Sequence, residues 1–219
     1  LAVADPYWNP RPFDRAAIRK LLDDPSEVIR YVVEPKLDGL AMELMYEDGV
    51  FVGGGTRGDG VTGEDVSHNL RTIRNLPLRL NGAPSGRVAV RGEVLFNLPG
   101  FEKMNAERES RGEKRFENPR NAAAGTMRQL DPKMAQDRPL LFYAHSAATI
   151  PDGVSSHWEL LQRFAAWGFA INPLNRRCAG IDAVVTAVDD LEKQRSSLDY
   201  EIDGAVVKVD DLDLQLMAD

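Results

Sequence analysis

A single cysteine, Cys178, excludes an intrachain disulfide and fits a reducing compartment. Three scattered histidines and that one thiol cannot assemble a zinc site of ordinary spacing, while a hard-cation site built from carboxylates stays open. No apolar run approaches the ~20 residues needed to span a bilayer. The first residues, Leu1-Ala2-Val3-Ala4-Asp5-Pro6, have neither the basic region nor the apolar stretch of a signal peptide. These absences together predict a cytoplasmic protein with no membrane partner. The chain does not begin with Met, and so reads as part of a longer or processed polypeptide. A net charge of −7 argues against a module held to nucleic acid by its whole surface, though a basic groove on an acidic body is compatible with it.

The 219 residues, 43% hydrophobic and 28% charged, suffice for one large domain or two small ones and for a real core. Helical spacing runs over 12–24, with Ala17, Ile18, Leu21 and Leu22 on one face. Strands are predicted over 28–34 and 40–46. The turn Glu47-Asp48-Gly49 then leads into Val50-Phe51-Val52 as a hairpin. Residues 53–63 read as a polar, glycine-rich loop. Further strands follow at 87–96, 140–145 and 200–209. Helices are predicted from Pro99 through Glu109, over 121–130, 156–167 and 181–194, with Gly168 as a stop and 211–219 as the start of another. This mixed, non-alternating order predicts an α+β fold with antiparallel sheets.

The hexapeptide Glu34-Pro35-Lys36-Leu37-Asp38-Gly39 sets a lysine between two acids at the end of the run Val28 to Val33, just before a turn. By itself it allows a solvated strand-end charge as readily as a nucleophile. Gly53-Gly54-Gly55-Thr56-Arg57-Gly58 formally matches a dinucleotide-binding pattern, but no βαβ unit surrounds it. It reads better as a loop whose Arg57 can approach a phosphate or a ribose. Arg91-Gly92-Glu93 puts a carboxylate within an apolar strand, either facing water or able to meet ribose hydroxyls or a cation. Asn118-Pro119-Arg120-Asn121 and Arg128 present arginines across a helix start, as a solvated face or a phosphate contact. Lys208 ends the run Glu201 to Val207, as an exposed strand end or a lysine facing a phosphate.

The order of these motifs resembles the ligase and capping-enzyme nucleotidyltransferase superfamily. Glu34 to Ala41, Thr56 to Gly60 with Gly63 to Val66, Asn69 to Ile73 and Asn118 to Gln129 narrow the resemblance to the adenylation domain of bacterial NAD-dependent DNA ligase, from about residue 28 onward. The resemblance implies a nucleotide cleft between antiparallel sheets, in a monomer acting on NAD and nicked double-stranded DNA with Mg²⁺. Lys36 would attack NAD, expel nicotinamide mononucleotide and carry AMP to the 5′-phosphate of a nick. A free lysine, at pKa ~10.4, is only about 0.04% neutral at pH 7, so neighbouring cations such as Arg57, Lys208 or Mg²⁺ are expected to assist.

On the same resemblance, Asp38 and Asp203 would orient Lys36 or a metal-bound water. Glu34, Leu37, Arg57, Glu93, His145 and Lys208 would bind the nucleotide: Glu34 at the adenine edge, Arg57 and Glu93 at the ribose, Lys208 at the phosphate. Glu93 could also meet Mg²⁺. Arg120, Arg128 and Arg195 would contact DNA phosphates. The family's adenine-stacking tyrosine position is occupied by His145. The N-terminal region gripping nicotinamide mononucleotide, the last lysine motif and the later OB-fold, zinc, helix-hairpin-helix and BRCT modules are expected to lie outside these 219 residues, so the chain alone should adenylylate itself poorly from NAD. The alternatives are an ATP-dependent polynucleotide ligase and a non-catalytic nucleic-acid-binding remnant of the fold.

Overall fold

A computed structural model describes residues 2–3, 28–56, 63–82 and 85–218. The helix expected over 12–24, and Arg57, lie outside them. The described strands are β1 (Ala2–Val3), β2 (Arg30–Leu37), β3 (Leu40–Glu47), β4 (Val50–Thr56), β5 (Arg87–Phe96), β6 (Leu140–Ala147), β7 (Arg176–Ala179) and β8 (Ile202–Val209). The helices are α1 (Ser67–Leu70), α2 (Leu98–Ser110), α3 (Pro119–Met127), α4 (Lys133–Gln136), α5 (His157–Trp167), α6 (Ile181–Gln194) and α7 (Leu212–Ala218), with a 3-10 turn at Arg195–Ser197.

The strands form two four-stranded sheets, ordered β1-β8-β2-β7 and β4-β3-β5-β6, with every neighbouring pair antiparallel. The fold is therefore α+β with antiparallel sheets. The chain passes from one sheet to the other through the two residues Asp38-Gly39, between β2 and β3. Strand β2 is central in its sheet, and successive side chains alternate faces. Val33 packs with Cys178, Val184, Ala187 and Leu191 under α6, while Val32 joins the main core against the second sheet. Burial on both faces explains why the successive residues Val32 and Val33 are both apolar. The main core is aromatic: Tyr46 meets Phe51 and Phe169 edge to face at 5.6 Å, and its hydroxyl donates to the Pro77 carbonyl.

Helix ends follow local chemistry. Asn97 and Asn118 cap α2 and α3, each followed by a proline in the first turn. Ser156 and Glu159 form a capping box at the start of α5, and Gly168 ends that helix at φ 102°. One expectation is corrected: Gly53 to Thr56 are not loop but the end of β4, paired with Met45 to Met42. Strand β4 can run there because α1 closes onto it: a Cβ on Gly54 would lie 2.6 Å from Leu70 Cδ1. Among the described residues, no helix is long and apolar enough to cross a membrane.

Candidate active site

Lys36 is the last residue but one of β2, at the junction of the two sheets. In the β2–β8 pairing, Pro35 opposes Ala205 and Leu37 opposes Ile202, so β8 carries one extra residue opposite Lys36. This bulge turns Asp203 toward the lysine, whose Nζ donates to Asp203 Oδ2 at 2.7 Å. The pair is about 34% and 43% exposed, open to a ligand. Leu37 packs against Leu95, Tyr200 and Ile202, which anchors the strand end beside the lysine.

The next two residues bring a second carboxylate close. The Asp38 amide donates to the Glu201 carbonyl at 3.0 Å, which fixes the turn against β8. Gly39 is demanded by proximity: a Cβ there would lie 2.4 Å from the Val94 carbonyl and 2.9 Å from Glu93 Cγ. The same applies to Gly92, where a Cβ would fall 2.2 Å from Phe142 Cζ. The glycines of the Lys-Leu-Asp-Gly and Arg-Gly-Glu motifs thus let three strands converge around Glu93. Burial pushes the Glu93 carboxyl up to about 7, with Asp38 and Asp203 adding to the rise and Arg120 and the Gly39 amide opposing it. At neutral pH such a carboxyl can both donate and accept hydrogen bonds, which suits sugar hydroxyls.

His145 is the extra residue of a second bulge. Ala144 opposes Gly92 and Ser146 opposes Arg91, leaving His145 between them and out of the ladder. Its Nε2 stands 3.9 Å from Glu93 Oε2, and Ser146 Oγ lies 3.1 Å from its Nδ1.

On the first sheet, Glu34 opposes Val206, and Lys208 lies two residues further along β8 on the same face. Lys208 Nζ reaches Glu34 Oε1 at 2.7 Å and donates to the His145 carbonyl at 3.2 Å. With 11% of its side chain exposed, Lys208 is not the exposed strand end that the sequence also allowed. His157 Nε2, from the first turn of α5, approaches the same Glu34 oxygen at 2.8 Å. Burial works to raise the pKa of Glu34, but Lys208 and His157 outweigh it and hold the carboxyl down at about 2. Glu34 is therefore an ionised acceptor inside the fold.

Comparison with known proteins bears directly on this geometry. A family model of the NAD-dependent DNA ligase adenylation domain matches residues 11–217. The chain belongs to that family. It is 48% identical over 196 residues to a DNA ligase of Gluconacetobacter diazotrophicus, covering 89% of this chain and 28% of that protein. It is 46% identical over 207 residues to a DNA ligase of Geotalea daltonii (94% and 31%), and 42% identical over 217 residues to one of Gluconobacter oxydans (96% and 32%). The chain thus spans under a third of the length of these curated relatives.

Within this adenylation domain the arginines expected at DNA are distributed unevenly. Arg120, at the start of α3, sends its guanidinium inward to 3.6 Å from Asp38 Oδ1. Arg128 Nε donates to Glu64 Oε2 at 2.5 Å, and Arg195 is exposed in the 3-10 turn. Among the described residues, no three His, Cys, Asp or Glu side chains are grouped to hold a metal ion. Two groups escaped the sequence reading. His157 sits inside a capping box and reads as an ordinary helix start. Asp210, 2% exposed, donates no motif, yet its Oδ2 accepts from Arg177 at 2.6 Å and its Oδ1 from the Trp158 amide.

Proposed function

We propose that this chain captures AMP from NAD for the joining of nicked DNA, within a nucleotidyltransferase-type cleft between its two sheets. Lys36 Nζ, after losing a proton, attacks the α-phosphorus of NAD. A P–N bond forms, the P–O bond of the pyrophosphate breaks, and nicotinamide mononucleotide leaves with the electron pair. The AMP then passes to the 5′-phosphate of a DNA nick, and the 3′-hydroxyl displaces it as the strand closes.

The observation that carries this reading is Lys36 held at 2.7 Å by Asp203, at a sheet junction where an acceptor-only Glu34 and a half-protonated Glu93 also converge. Asp203 holds the amine in place and is the group within reach of its departing proton; Asp38 steadies the turn and Arg120. Glu34 accepts from the adenine edge, His145 stacks on the base, and Glu93 meets the ribose hydroxyls together with Arg57. Lys208 moves to the transferring phosphate. Leu37 supports the nucleophile from behind. Arg128 and Arg195 meet DNA phosphates, and Arg120 serves either these or the Asp38 cluster. Mg²⁺ would arrive largely on the substrate phosphates, as that ion commonly does, with Glu93 the carboxylate in reach. We read the protein as cytoplasmic and monomeric.

The test is the intact mass of the full-length protein after incubation with NAD. An increase of about 329 Da, one adenylyl group, is expected, and it should vanish in Lys36→Ala. The same gain from ATP but not NAD would overturn the NAD assignment, and a gain that persists in Lys36→Ala would overturn the nucleophile.

A further inference from the structure

We infer that His157 is a positioning residue that holds Glu34 in place while Lys208 is away at the phosphate, and so maintains selectivity for the adenine base. The inference rests on the proposed role of Lys36 and its neighbours in taking AMP from NAD.

Three side chains meet at one atom. Glu34 Oε1 lies 2.7 Å from Lys208 Nζ and 2.8 Å from His157 Nε2, and these two nitrogens are 3.2 Å apart. An ammonium can only donate and an ionised carboxylate can only accept. Nε2 carries either a proton or a lone pair. A lone pair would set two acceptors face to face at 2.8 Å, so Nε2 carries the proton and donates to Oε1. His157 is 3% exposed and stays neutral, chiefly because burial disfavours its charged form and Lys208 adds to that. Lys208 therefore donates no hydrogen bond to the imidazole Nε2, although the two nitrogens are close. Its own partners are Oε1 and the His145 carbonyl.

Both donors converge on Oε1, and no donor among the described residues reaches Oε2. Glu34 can then accept from a base amine on its second oxygen. The difficulty comes when Lys208 leaves for a phosphate. A carboxylate only 4% exposed would lose its countercharge and would either follow the lysine or hold it back. His157 removes that conflict by keeping Oε1 bonded. Its own position is coupled to β8: the His157 amide donates to the Asp210 carbonyl at 2.7 Å, two residues beyond Lys208. Asp210 is in turn fixed by Arg177 and by the Trp158 amide. The seat of the fixed imidazole therefore lies just past the end of the strand that carries the mobile lysine.

The experiment measures single-turnover AMP transfer to the full-length protein from NAD and from nicotinamide hypoxanthine dinucleotide, which lacks the 6-amino group. His157→Phe should slow transfer from NAD by about 10- to 100-fold, the range for losing one hydrogen bond to a buried charge. It should also shrink the preference for NAD over the hypoxanthine analogue. His157→Gln, whose amide N–H can reach Oε1, should recover both. An unchanged rate and preference in His157→Phe would overturn the inference. So would a slower rate with the base preference intact and no recovery in His157→Gln, since that is what a purely structural histidine gives. Should His157→Phe not fold, His157→Gln and His157→Met decide the matter: Met lacks the donor and must lose the preference that Gln keeps, and equal behaviour refutes the role. If the wild-type protein forms no adduct from NAD at all, the reading of Lys36 fails first, and that result is visible before any variant is made.

Discussion

Replacing Glu93 by Gln should stabilise the nucleotide-free protein in alkali and change it little in acid. Burial holds this carboxyl near 7 against an ordinary 4.5, with 14% of the side chain exposed. Because the folded value lies above the unfolded one, the folded state binds more protons between the two. Stability is fully present below 4.5 and is lost as pH rises through 7. The difference corresponds to roughly 3 kcal/mol at pH 8 and under about 1 kcal/mol at pH 5. A glutamine keeps a carbonyl to accept from the Gly39 amide and carries no charge to desolvate. For a chain of this size the gain should appear as roughly 6–12 °C in Tm at pH 8 and a few degrees at most at pH 5. Thermal unfolding followed by circular dichroism at the two pH values measures it. An equal gain at both, or none at pH 8, refutes the argument that desolvation dominates at Glu93. The same variant should form the lysine adduct more slowly, because the site retains that strained carboxyl for its ligand.

Glu34→Gln should have the opposite sign. It strands the Lys208 ammonium without its countercharge and should cost about 3–5 kcal/mol at pH 7 in urea unfolding. Since Glu34 is held down at about 2, its contribution is present above 4.5 and lost as pH falls toward 2, so the gap to wild type should narrow over that window; a constant gap would contradict the assignment. Asp38→Asn should lower the NMR titration midpoint of Glu93 and Arg120→Gln should raise it, because those two groups act on it with opposite signs. Identical directions in the two variants would mean that neither faces Glu93. Gly92→Ala, which forces a methyl to 2.2 Å from Phe142 Cζ, should destabilise the fold by about 1–3 kcal/mol in the same urea assay, and a loss below about 0.5 kcal/mol would show that β6 yields freely.

Much of the local structure was legible because it is written in neighbouring residues. The helix start at Ser156, the stop at Gly168 and the hairpin turn at Asp48-Gly49 each depend on positions a few residues apart. The helix over 181–194 matches the observed α6 residue for residue, since its apolar spacing alone defines the buried face. The four-residue strand β7 was not legible: Arg176 to Ala179 has no alternation, and only pairing with β2 makes it a strand. Nor was the strand character of Gly53 to Gly55, which side-chain propensity argues against and the closure of α1 permits.

The hexapeptide around Lys36 and the order of the motifs after it were enough, by themselves, to identify the adenylation-domain family. They also named the charged residues from which a site could be built. What those charges do to one another was decided only in three dimensions. Lys36 finds Asp203 across 167 positions, and Glu34 finds His157 across 123. Whether a carboxyl sits near 2 or near 7 depends on which cations enter its pocket and how much water they displace. Local spacing reports which face a side chain takes. The energy of a buried charge depends on partners brought from elsewhere in the chain, and that is why Glu34 and Glu93, alike in the sequence, part in the fold.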